Sequence, residues 1–130
     1  MIKLLLRYSL LFAILWTIII FVLCCTPGRF VPTANWLELL SFDKFVHAGI
    51  FFTLTFLWLI VWFNTGKLST TTIVITIISC VSYGGLLEVM QATVFSQRSG
   101  DWLDFIANSF GCLMGLWFFS KQKKRFLISF

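Results

Sequence analysis

Four carboxylates, one imidazole and two cations stand where chemistry could use them. Asp43, Lys44 and His47 lie close together, with Asp43 and His47 four residues apart; Glu88 and Gln91 follow, then Arg98, Asp101, Asp104 and Asn108. A carboxylate one helical turn from an imidazole can orient the ring and favour its protonated form, which general acid–base chemistry requires. On this reading His47 and Asp43 are the catalytic pair, and Glu88 or Asp104 supplies a second carboxylate. Lys44 and Arg98 suit an anionic group such as phosphate, and Gln91, Asp101 and Asn108 complete the binding set. His47 with Glu88, Asp101 and Asp104 would also suit a hard or borderline divalent ion. Their spacing matches no known metal motif, so no metal is assigned and no cofactor is identified.

Part of this set has a plainer explanation. Asp43 precedes or opens a helix, where a carboxylate complements the dipole. Ser99 can cap a later helix, with Asp101 in its first turn. A lone histidine in a helix, as His47 is, is more often packed and hydrogen-bonded than a ligand. Glu88 resists the plain reading. It falls near the carboxyl end of its helix and about one turn inside an apolar segment, where an ionisable group is costly and needs a partner or a watery cavity. Its candidate partners are Arg98, Lys44 and His47.

The elements that must position these groups follow from composition. The chain has 130 residues, 59% of them hydrophobic and 12% charged, with a mean hydropathy of +0.96. A soluble domain of this size cannot hide that much apolar surface. A bilayer core about 30 Å thick needs roughly 20 apolar residues per spanning helix. Four stretches qualify: about Tyr8 to Cys25, His47 to Phe63, Thr70 to Thr93, and Trp102 to Phe119. In lipid each must satisfy its own backbone, so each is expected to be helical. The expected fold is one all-α domain over residues 1–130, a membrane bundle of four transmembrane helices. The apolar run after Lys3 and Arg7 is longer than a signal-peptide core and lacks a small-x-small site, so it reads as an uncleaved anchor. Between Thr26 and Phe42, the residues Trp36, Leu37, Leu39, Leu40 and Phe42 suggest a short interfacial helix, with Asn35 and Glu38 as a capping pair; it would roof the polar residues or simply anchor the chain. Cys24, Cys25, Cys80 and Cys112 match no zinc spacing and read as small apolar side chains.

At about 100° per residue, Asp101, Asp104, Asn108, Gly111 and Gly115 share one arc of a helix, and Cys80, Gly84, Glu88 and Gln91 share an arc of another. These small and polar faces are expected to turn inward, with Gly84, Gly111 and Gly115 allowing close helix packing. Charge then sets orientation. Lys3, Arg7, Lys67 and the basic tail over 120–130 (Lys121, Lys123, Lys124, Arg125) fall on one side of a four-span chain, while all five acids fall on the other with Arg29, Lys44 and Arg98. The positive-inside rule places both ends in the cytoplasm and the acids outside.

The pattern Asp43-Lys44-x-x-His47-x-x-x-Phe51, then Glu88-x-x-Gln91, then Arg98-x-x-Asp101-x-x-Asp104-x-x-x-Asn108-x-x-Gly111-x-x-x-Gly115, resembles the VanZ-like family of bacterial membrane proteins. The resemblance covers about Asp43 to Phe119. It implies a small, multi-pass protein of the bacterial cytoplasmic (inner) membrane. The family's namesake is associated with low-level resistance to the glycopeptide teicoplanin; the resemblance by itself implies neither resistance nor an enzyme. Three functions stay open. The polar residues form an outward pocket for a lipid-linked or cell-wall component of the envelope, with membrane lipids as partners. Alternatively, they are a buried network locking the helices together. A proton or ion path comes last, because the inner half of the spans lacks ionisable residues. No nucleotide-binding loop or nucleic-acid signature is present, and no nucleic-acid partner is expected.

Overall fold

A computed structural model of the chain describes residues 1–26, 42–94 and 101–128. These residues form helices and no strand: α1 (Ile2–Arg7), α2 (Ser9–Cys25), α3 (Phe42–Asn64), α4 (Thr70–Thr93) and α5 (Trp102–Ile128). Helices α3, α4 and α5 are each long and apolar enough to cross a membrane, whereas α2, at 17 residues, is shorter. Their outward faces carry large apolar side chains such as Ile18, Ile78, Leu86, Val89, Phe110 and Trp117. A soluble monomer rarely exposes so much contiguous apolar surface, and the chain has the build of a multi-pass membrane protein.

Helix bounds differ from the sequence expectation in instructive places. The first apolar segment is helical from Ile2 but breaks at Tyr8 (φ −111°, ψ 21°). At that break Asn64 donates its amide to the Leu6 carbonyl at 2.9 Å and to Ser9 Oγ at 3.4 Å. A side chain inserted into the helical ladder is a recognised cause of such kinks. Helix α3 starts at Phe42 rather than His47, so Asp43 lies in its first turn, where the dipole favours it. Helix α4 has the expected bounds. Ser69 and Thr72 form a reciprocal capping box at its start, and Gly66 takes the positive φ (71°) that the preceding turn requires. The segment expected to be a basic tail from residue 120 continues α5 as far as Ile128. The reason is Phe126, two turns beyond Phe119 and therefore on nearly the same face. It is buried against Phe56, Phe63 and Phe119, with ring centroids 6.2, 6.0 and 6.2 Å away. The expected interfacial helix over Trp36–Phe42 lies outside the described residues except for Phe42.

Helix α3 is the hub. It packs on α2, α4 and α5, most extensively on α5. Glycine explains the closeness of α3 and α5. A Cβ at Gly111 would stand 2.1 Å from the Ala48 carbonyl oxygen, and one at Gly115 would stand 2.6 Å from that of Phe52. No larger residue permits that backbone approach. The remaining interfaces are tied by aromatic side chains with polar tips. Trp16 Nε1 donates to the Ile50 carbonyl, Trp58 Nε1 to Thr17 Oγ1, Trp62 Nε1 to Thr76 Oγ1, and the Tyr83 hydroxyl to the Thr17 carbonyl. In an apolar surround these bonds keep polar tips from being stranded. Of the four cysteines, Cys80 and Cys112 are buried, and Cys24 and Cys25 are half-buried.

Candidate functional site

Because α3, α4 and α5 alternate in direction, the start of α3, the end of α4 and the start of α5 meet at one end of the bundle. Every acid among the described residues (Asp43, Glu88, Asp101, Asp104) lies at that end, together with Lys44 and His47. Lys3, Arg7, Lys67 and the Lys121–Arg125 run belong to the opposite end, where Asn64 meets Leu6 and Phe126 meets Phe63.

Lys44 is the centre of charge. Its ammonium donates to Asp101 Oδ2 at 2.7 Å and to Asp104 Oδ1, and lies 3.6 Å from Asp43 Oδ2. It links the first turn of α3 to the first turn of α5. Asp101 has two tasks. It immediately precedes α5, and its Oδ1 accepts the Leu103 N–H at 2.9 Å, the bond of an N-cap residue. The Lys44 ammonium, with that N–H bond, holds its carboxyl below the ordinary carboxylate range. Asp101 is thus the cap itself; Ser99, expected as the cap, lies outside the described residues.

His47 sits one turn below Asp43. Its Nε2 lies 3.6 Å from Asp43 Oδ1 and 3.7 Å from Asp104 Oδ2. Its Nδ1 is 3.2 Å from Asn108 Oδ1 and 4.0 Å from Glu88 Oε1. A carboxamide oxygen only accepts, so Nδ1 carries a hydrogen and donates to Asn108. Asn108 is buried beside Gly84, where a Cβ would come within 3.2 Å of its amide nitrogen and 3.1 Å of Phe51. The small face of α4 is what leaves room for it.

Glu88 finds a partner that its side-chain neighbours did not suggest. Its Oε2 accepts the backbone N–H of Asp101 at 3.1 Å, so a carboxylate at the end of α4 caps the start of α5. Glu88 and Asp101 also line a groove of about 350 Å³ between α4 and α5, whose other walls are Gly85, Val89, Ala92, Trp102 and Phe105.

Of the residues singled out from sequence, Asp43, Lys44, His47, Glu88, Asp101, Asp104 and Asn108 come together. Gln91 does not join them: its amide donates to the Cys24 carbonyl at 3.4 Å, tying α4 to the end of α2. Arg98 lies outside the described residues. Lys44 is committed to carboxylates rather than free for an anion. The sequence reading missed Thr55, a fully buried hydroxyl beside the Cys80 and Cys112 thiols, and the tryptophan ties. A threonine or tryptophan inside an apolar run carries no periodic signal of its own. No protein-family model, curated protein or solved structure matches this chain.

Proposed function

We propose that the chain is a VanZ-like, four-span protein of the bacterial cytoplasmic membrane, with both termini cytoplasmic and the polar cluster open to the outer face. There it binds or acts on a cell-envelope component, lipid-linked or of the cell wall. Helices α1 and α2 together would make the fourth span. Lys3, Arg7, Lys67 and the Lys121–Arg125 run gathered at one end support the orientation.

One observation carries the functional reading: the cluster is bonded across helices inside yet open outside. Glu88, Asp104 and Asn108 are buried, while the Asp43, Asp101 and Lys44 side chains are 60%, 38% and 28% exposed. A network serving only to lock helices has no use for an accessible rim. The adjoining α4–α5 groove, apolar except for Glu88 and Asp101, suits an amphiphile whose headgroup rests on the cluster and whose chain lies between helices. Replacing Glu88, His47 and Asp104 singly by Ala tests this. At normal expression each variant is expected to change envelope lipid composition or sensitivity to teicoplanin. Wild-type behaviour in all three would remove the proposal.

The structural alternative has its own support, since Lys44–Asp104, His47–Asn108 and Glu88–Asp101 each join two helices. On that reading the same variants lower thermal stability in detergent, and none is both stable and inactive.

A further inference from the structure

The distances around His47 Nε2 are unlike hydrogen bonds. With Nδ1 donating to Asn108, Nε2 is the nitrogen turned toward Asp43 Oδ1 at 3.6 Å and Asp104 Oδ2 at 3.7 Å. Hydrogen-bonded N···O pairs lie near about 2.9 Å, so these are too long. Around a tetrahedral ion with bonds of about 2.0–2.1 Å, neighbouring donor atoms are about 3.4 Å apart. The observed separations fit that edge, and the donor atoms of Asp43, His47 and Asp104 all lie within 4.8 Å of one another.

Three further observations point to a cation. Asp104 is only 8% exposed, yet among the described residues its Oδ2 accepts no hydrogen bond, while its Oδ1 is held by Lys44. Asp43 divides in the same way, with Oδ2 toward Lys44 and Oδ1 toward His47. Lys44 thus orients both carboxylates without occupying the oxygens that face Nε2. Secondly, the Nδ1–Asn108 bond is the outer-shell contact that metal-bound histidines almost always make, because it fixes the tautomer that frees Nε2. Thirdly, Asp43, Asp101 and Asp104 share the single Lys44 ammonium, with Glu88 beside His47. Carboxylates outnumber cations in the described cluster, and a divalent ion would offset that excess.

We infer that Asp43, His47 and Asp104 form a site for a divalent cation of the Zn²⁺ class, with Asn108 and Lys44 orienting the ligands. Two carboxylates and one imidazole suit such an ion, and three protein ligands leave a fourth position for water or a ligand oxygen. The inference places an ion in the pocket already proposed as functional, but it does not depend on the pocket's ligand being an envelope lipid.

The test is Zn²⁺ titration of the full chain, purified in detergent and stripped with chelator, followed calorimetrically and by the absorption of Co²⁺ in its place. One saturable ion per chain and a tetrahedral Co²⁺ spectrum are expected. Asp43→Asn and Asp104→Asn should weaken binding on the order of 100-fold, and Asn108→Ala by about 10–100-fold. Asp43 is exposed, so its variant keeps the test valid if substitution of buried Asp104 prevents folding. The double variant Cys24→Ser/Cys25→Ser should bind as wild type does. No saturable binding, binding indifferent to Asp43→Asn, or binding abolished by the cysteine changes would overturn the inference. Stoichiometric Zn²⁺ with no envelope phenotype in the alanine variants would leave this site standing and remove the envelope reading.

Discussion

Glu88 separates charge from hydrogen bonding in this cluster. Its Oε2 accepts the Asp101 N–H, a bond that a glutamine oxygen can also accept. Glu88→Gln should therefore keep the α4–α5 junction, with a thermal midpoint in detergent close to wild type. Glu88→Ala removes the acceptor of a part-buried N–H and should cost about 1 kcal/mol, read as a fall in that midpoint. Equal midpoints for the two variants would mean that the bond does not hold the junction. His47 and Asn108 make the same point differently. The ring's role is set by which nitrogen carries the hydrogen, and a buried carboxamide on another helix decides that.

Helices α3 and α5 approach so closely because Gly111 and Gly115 face backbone, not flexible side chains. Gly111→Ala should force the helices apart and destabilise by at least the roughly 1–3 kcal/mol typical of overpacking. Gly49, also in α3, has open space around its Cβ position. Gly49→Ala should leave the thermal midpoint unchanged or raise it, since alanine is the better helix former by about 1 kcal/mol. A Gly111→Ala protein as stable as Gly49→Ala would refute the close-contact account. The sequence made much of this element scale legible. The bounds of α4 follow from the length of its apolar run, and the shared arc of Asp104, Asn108, Gly111 and Gly115 and the shared face of Asp43 and His47 from a period of about 3.6 residues. What stayed hidden has physical causes. Gln91 lies only one turn from Glu88, yet that small rotation swings it from α5 to α2, because α4 touches both neighbours. The Glu88 partner is a backbone N–H, which no side-chain pattern reveals. The helical end of α5 was masked by its lysines, although the seven-residue step from Phe119 to Phe126 signals a continued face.

At the scale of the whole molecule, the described residues form a charge-sorted bundle: acids, the one histidine and Lys44 at one end, the other described bases at the opposite end, and an apolar surround between them. Helix packing requires none of that sorting. The α3–α5 glycines and the tryptophan ties already join the helices along their length, so the polar end is available for work. The central claim is that this end holds an envelope ligand, and the most direct measurement is mass spectrometry of what co-purifies with the chain from native membranes. Wild-type protein should carry a defined envelope lipid in stoichiometric amount, and Glu88→Gln, equally stable, should lose it. The same lipid complement in both proteins would contradict the account.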